Sequence, residues 1–191
     1  MPSPVGHALG GALVASLVAR SAPGAPGTRL EALRAWAPQP LVLTGVVAAC
    51  LPDLDFLWAR HNMETHSLGA AIVAGLVAWA WTRRPTVALV VAGAWASHVG
   101  FDWLGSDDTP PLGVMALWPF TDRFFFADAF VFEAISRRYW LPGFVAHNLW
   151  AVVSEVLMLG PLVAVAAWWR VRRLRTGTGS SSSARASGSP G

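Results

Sequence analysis

The chain has 191 residues, of which 54% are hydrophobic and 13% charged, and its mean hydropathy is +0.46. Soluble domains carry roughly 45–50% apolar and about 25% charged residues, so an ordinary soluble domain is excluded and an all-α, polytopic transmembrane bundle is expected. All 14 basic residues are Arg, giving a net charge of +3 against 11 acids, and they fall in short clusters between neutral runs, a pattern of membrane topology and not of specific nucleic-acid binding.

About five membrane-associated helices are predicted, from apolar runs at residues 5–19, 41–51, 68–81, 86–104 and 141–169. The last two approach or exceed the roughly 17–25 residues that cross a bilayer; the others are short, and the second is open to a re-entrant path. The first run has no basic residue ahead of it and is expected to be retained, not removed as a secretory signal. Small residues recur in Gly6-His7-Ala8-Leu9-Gly10-Gly11 and again from Gly69 to Gly75, a signal for close helix packing.

Between the runs, residues 28–36 predict a short surface helix and residues 107–112 a loop, because Pro110 and Pro111 remove backbone donors. Residues 120–140 are aromatic and carry Arg123, Arg137 and Arg138, which fits either a lipid interface or core packing. Residues 1–175 are expected to form one helical membrane domain and residues 176–191 a disordered Ser/Gly-rich tail. The single Cys50 excludes a disulfide framework and a thiolate zinc knuckle.

With five crossings and the N-terminus outside, the inner loops and tail hold ten of the arginines and the outer segments four. The positive-inside rule therefore predicts a cytoplasmic C-terminus. Under that topology His7, the Leu51-Pro52-Asp53-Leu54-Asp55 segment, the His61 to Ser67 segment and His98 to Asp102 all face the extracytoplasmic side. His98 and Asp102, four residues apart, share one helix face. Asp53 and Asp55, two apart, cannot share a helical face, but a Pro-containing turn lets both point inward. Carboxylates and imidazoles near hydrocarbon are costly, and a metal ion satisfies them together. Mixed Asp/His ligation suits zinc, manganese or ferrous iron, with one ion or two. The plainer readings are a hydrogen-bonded helix pair for His98 and Asp102, caps for Asp53 and Asp55, and surface roles for His61 and Glu64.

The ordered set of Gly6-His7, Leu51-Pro52-Asp53-Leu54-Asp55, Arg60-His61 with Thr65-His66-Ser67, His98 to Asp102, and Leu117-Trp118-Pro119-Phe120 resembles the YdjM-like family of membrane-bound proteins, described as predicted metal-dependent hydrolases. The resemblance spans roughly residues 4–170 and implies a multi-helix inner-membrane protein with a His/Asp metal site. Carried over by position, the metal ligands are His7, Asp53, Asp55, His66, His98 and Asp102, holding one or two divalent ions with Zn or Mn favoured. Asp53 and an outer His61 are assigned to proton transfer in hydrolysis by a metal-activated water, and Arg60 to an anionic headgroup or the interface. Ser106-Asp107-Asp108-Thr109-Pro110-Pro111 departs from the compact turn that the resemblance leads one to expect.

The membrane location makes a phosphoester or a lipid-linked molecule the expected substrate. The competing reading is a non-enzymatic membrane protein in which the same residues form a structural metal site or move a divalent ion. Glu155, inside the last apolar run, is the residue that most favours that alternative.

Overall fold

A computed structural model describes residues 1–19, 40–58, 61–107, 110–127 and 130–176. Among these are five α-helices: α1 (Pro4–Val18), α2 (Pro40–Cys50), α3 (Leu68–Thr82), α4 (Pro85–Leu104) and α5 (Phe144–Thr176), with a 3₁₀ helix (Pro52–Trp58) continuing from α2. The surface helix expected over 28–36 lies outside the described residues, as does the tail expected over 176–191 except for Thr176, which ends α5.

The helix starts follow local chemistry. Ser3 caps α1 by accepting from Gly6 N, and Ser67 caps α3 by accepting from Ala70 N. Pro4 and Pro85 occupy the first turns of α1 and α4, where a missing N–H costs nothing.

Among the described residues, three segments are long and apolar enough to cross a membrane: Pro40–Leu57, Pro85–Leu104 and Phe144–Arg170. The first joins α2 to the 3₁₀ helix, so the second apolar run gains the length that its eleven-residue α-helix lacks. α1 and α3 are apolar but have only 15 residues each, roughly 22 Å of rise.

The bundle is packed with its small residues inside. Ala48, Ala49 and Ala94 form the core with Val91 against them, whereas Leu17, Ile72, Leu76, Trp81 and Leu149 are exposed. Large apolar side chains facing outward and small ones inward is what a lipid solvent requires, since helix association there depends on close backbone approach. α1 and α2 meet at Gly11 and Gly45, where a Cβ on either would run into the other's carbonyl.

The described residues between α4 and α5 (105–107, 110–127 and 130–143) form an irregular cap over one end of the bundle. It is tied down by Leu68 N to Ala116 O, Met115 N to Asn62 O, Ala127 N to Trp103 O and Ile135 N to Met1 O. Phe132 is buried and packs on Phe101 at 5.0 Å, while Phe120, Tyr139 and Trp140 are exposed. The aromatic segment thus divides between core and surface.

Candidate metal centre

Four separate pieces of chain converge beneath the cap. α1 contributes His7, the 3₁₀ helix Asp53 and Asp55, the turn after it His61 and His66, and α4 His98 with Asp102. Pro52 at the end of α2 prevents the α-helix from continuing. The 3₁₀ path that follows points the two aspartates in different directions, and both still reach His66: Asp53 Oδ1 lies 3.6 Å from its Nε2 and Asp55 Oδ2 3.0 Å from its Nδ1. The turn carrying His66 is held by the Trp95 indole, whose N–H donates to the Thr65 carbonyl at 2.7 Å.

The group around His98 is the tightest. Its Nε2 lies 2.9 Å from Asp102 Oδ2 and 3.7 Å from Asp53 Oδ1, and its ring stacks on that of His7 at 3.8 Å between centroids. His7 Nε2 is 3.3 Å from Asp102 Oδ1, and His66 Nε2 is 3.5 Å from Asp102 Oδ2. Every ion-pair partner of Asp53, Asp55 and Asp102 among the described residues is a histidine. His7, His98 and Asp102 form one set able to hold a metal ion; Asp53, His66 and His98 form a second, and Asp55, His61 and His66 a third.

Hydrogen bonding assigns the protons. The Ala49 carbonyl can only accept, so His98 Nδ1, at 2.7 Å from it, carries the hydrogen. In the neutral ring Nε2 then presents a lone pair toward Asp102, an acceptor facing an acceptor. His66 repeats the pattern, with Asp55 at its Nδ1 and no hydrogen bond at Nε2. His98 Nε2, both oxygens of Asp102 and His7 Nδ1 are also buried without hydrogen bonds. Buried polar atoms are nearly always satisfied, and a convergent set of unsatisfied lone pairs calls for a cation. The donors present, imidazole nitrogen and carboxylate oxygen, fit a divalent transition metal.

Burial opposes charge on His66, but the carboxylates of Asp53 and Asp55 beside its two ring nitrogens and the charge of Asp102 outweigh that penalty, raising its pKa to about 9. Without a metal, the imidazolium is the form these carboxylates favour.

All six residues expected as ligands, together with His61, are brought into one cluster. His61 stands at its edge, Nδ1 2.8 Å from Asp55 Oδ1 and Nε2 against Met1 Sδ at 3.2 Å. Asp107 stays outside, accepting from Gly113 N and Asn62 Nδ2 and bracing the cap. Arg60 and Asp108 lie outside the described residues. Glu155 is fully buried, but at the start of α1 and not in the cluster: its carboxylate accepts from Ser3 N at 2.6 Å and from the Ser3 hydroxyl. His147 and Asn148 bind backbone at Ala134 and Ser136. The sequence reading overlooked the Ala49 carbonyl, which no side-chain pattern announces. It also overlooked the Thr65 hydroxyl, which donates to Asp55 at 2.8 Å, although its place beside His66 was a usable signal.

Fold and site together define a multi-pass helical membrane protein with a buried His/Asp cluster able to hold a metal ion. The chain belongs to the YdjM inner membrane protein family, matched over residues 1–175. No curated protein and no solved structure matches it.

Proposed function

We propose that this protein is a membrane-bound metal-dependent hydrolase acting on a phosphoester or lipid-linked substrate from the extracytoplasmic side. The observation that carries the metal is the lone pair of His98 Nε2 facing Asp102 Oδ2 at 2.9 Å while Nδ1 is committed to Ala49. His7, Asp53, His66, His98 and Asp102 would hold a first zinc or manganese ion. Asp55, bound to His66 Nδ1, orients that ring and raises its basicity, as carboxylates behind metal-bound histidines do. A second ion would draw on Asp55 and His61, and on His66 only if its Nδ1 gave up the proton that it shares with Asp55.

A bound divalent ion supplies Lewis acidity toward a phosphoryl or carbonyl oxygen and lowers the pKa of water. The chain's own residues supply the rest. Asp53 is the cluster carboxylate with the most exposed side chain, at 24%, and is placed to accept a proton from an attacking water. His61, bonded through Asp55, stands where that proton can leave toward the cap. The cap and the apolar core exclude bulk water from the other ligands, which strengthens each electrostatic contact there.

Ion transport is less well supported. Glu155, the buried acid within a spanning helix, is committed to Ser3 and does not face the cluster. Elemental analysis of the purified protein in mild detergent, followed by a screen of phosphoester and lipid substrates, tests the proposal. One or two equivalents of metal with metal-dependent turnover are expected; no bound metal under metal-replete conditions would overturn it.

A further inference from the structure

A 3₁₀ helix has three residues per turn, so its side chains fall into three rows. Here the Leu54 N to Leu51 O bond at 3.0 Å sets that register from Leu51 onward. One row, with Pro52 and Asp55, is buried in the protein. A second, Leu51, Leu54 and Leu57, is exposed by 39%, 49% and 77% and belongs to a segment apolar enough to span the membrane. The third holds Asp53 and Phe56, on the border between the buried cluster and this lipid-facing row. The partly exposed Asp53 therefore borders an apolar, outward-facing strip.

Over Phe56 stands Arg137, its guanidinium carbon 4.3 Å from the ring centroid. The Phe56 ring in turn stacks on His61 at 3.8 Å. The backbone leading to Arg137 is fixed, since the Asn148 side chain accepts from Ser136 N at 2.8 Å and donates to Ser136 O at 3.0 Å, and His147 Nε2 binds the Ala134 carbonyl at 2.8 Å. Arg137 has no carboxylate partner among the described residues. A guanidinium over an aromatic face keeps its N–H groups in its own plane, available to a phosphate.

We infer that the Asp53–Phe56 row with Arg137 above it is the docking site of a lipid with an anionic, phosphate-bearing headgroup. Arg137 holds the headgroup charge, and Leu51, Leu54 and Leu57 line the path of the chains. This rests on the metal-hydrolase reading of the same cluster and adds to it a substrate class and a specificity-determining residue outside the ligand set.

The test uses the full chain loaded with Mn²⁺ in an uncharged detergent. Two probes are compared by phosphorus line broadening: a short-chain phosphonolipid, whose P–C bond resists hydrolysis, and inorganic phosphate, with bound metal measured on the same samples. The phosphonolipid is expected to bind at least about ten-fold more tightly than phosphate, because the chains contribute apolar burial. Arg137→Gln is expected to weaken it about ten-fold with metal content unchanged, and Arg137→Lys to recover only part of that loss, since an ammonium keeps the charge but not the planar fork stacked on Phe56.

Unchanged lipid affinity in metal-loaded Arg137→Gln would overturn the inference while leaving the metal reading intact. Equal affinity for lipid and phosphate would overturn the lipid assignment. Loss of metal from both Arg137 variants would make Arg137 a structural residue and overturn its recognition role. A wild type that binds no metal would overturn the metal reading first, and this inference with it.

Discussion

His98 Nε2 and Asp102 Oδ2 stand 2.9 Å apart on consecutive turns of α4, both side chains fully buried, with the only assignable proton of the ring on its far side at the Ala49 carbonyl. An isolated pair of this kind would take the tautomer with its proton on Nε2, donating to the carboxylate. Here the backbone carbonyl prevents it, and the two lone pairs are left facing each other where the His7/His98/Asp102 and Asp53/His66/His98 sets meet.

Removing either partner should therefore abolish metal uptake. His98→Ala and Asp102→Asn are each expected to lower affinity by at least about a hundred-fold, as loss of a direct ligand would. Elemental analysis of folded, monodisperse protein checks this; full retention of metal in both variants would place the ion elsewhere.

Asp55 should behave differently. Because it reaches the site through His66 Nδ1 at 3.0 Å, Asp55→Asn is expected to keep the metal but weaken it about 10- to 100-fold. Competition with a chelator of known affinity measures this. Complete loss of one of two equivalents would instead make Asp55 a direct ligand of a second ion.

The protonation of His66 gives a signed pH dependence. Its pKa rises from the ordinary 6.5 to about 9 in the folded protein, so the stability it contributes without metal is full below 6.5 and lost as pH rises through about 9. In metal-free samples, the difference in thermal stability between wild type and His66→Gln should shrink across that window. Metal competes with the same proton, so metal affinity should rise over the same range. A stability difference independent of pH would show that His66 is neutral in the folded state.

At the start of α1, one turn before His7, Ser3 and Glu155 act as one clamp. Ser3→Ala removes a helix cap and a bond to a buried carboxylate, and Glu155→Ala leaves the Ser3 donors unpaired; each is expected to cost about 1–3 kcal/mol. The double variant should cost much less than the two together, because both break the same contact. Gly6→Ala should destabilise as well, since its Cβ would meet Glu155 Oε2 at 2.8 Å. Thermal unfolding in detergent reads all four variants, and strict additivity of Ser3→Ala and Glu155→Ala would separate the two residues.

Much of this molecule was legible from local pattern. The five apolar runs predict the five helices to within three residues except at the C-terminal end of the last, which runs on from 169 to Thr176 through the arginine cluster, because helix length in a membrane is dictated by apolar composition and helix starts by Ser and Pro chemistry at Ser3, Pro4, Ser67 and Pro85. The pairing of His98 with Asp102 follows from helical spacing alone, and the family resemblance gathered the remaining His and Asp residues into one site.

Tertiary structure decided what spacing cannot encode. That Asp53 and Asp55 approach opposite nitrogens of His66 depends on a 3₁₀ path after Pro52, and that His98 turns its lone pair inward depends on a carbonyl 49 residues away in the chain. Glu155 reads in the sequence as a charge stranded in an apolar helix. Only the packing of α5 on the start of α1 supplies its donors, since a hydrogen bond needs partners within about 3 Å and the chain brings Ser3 there from 152 positions away.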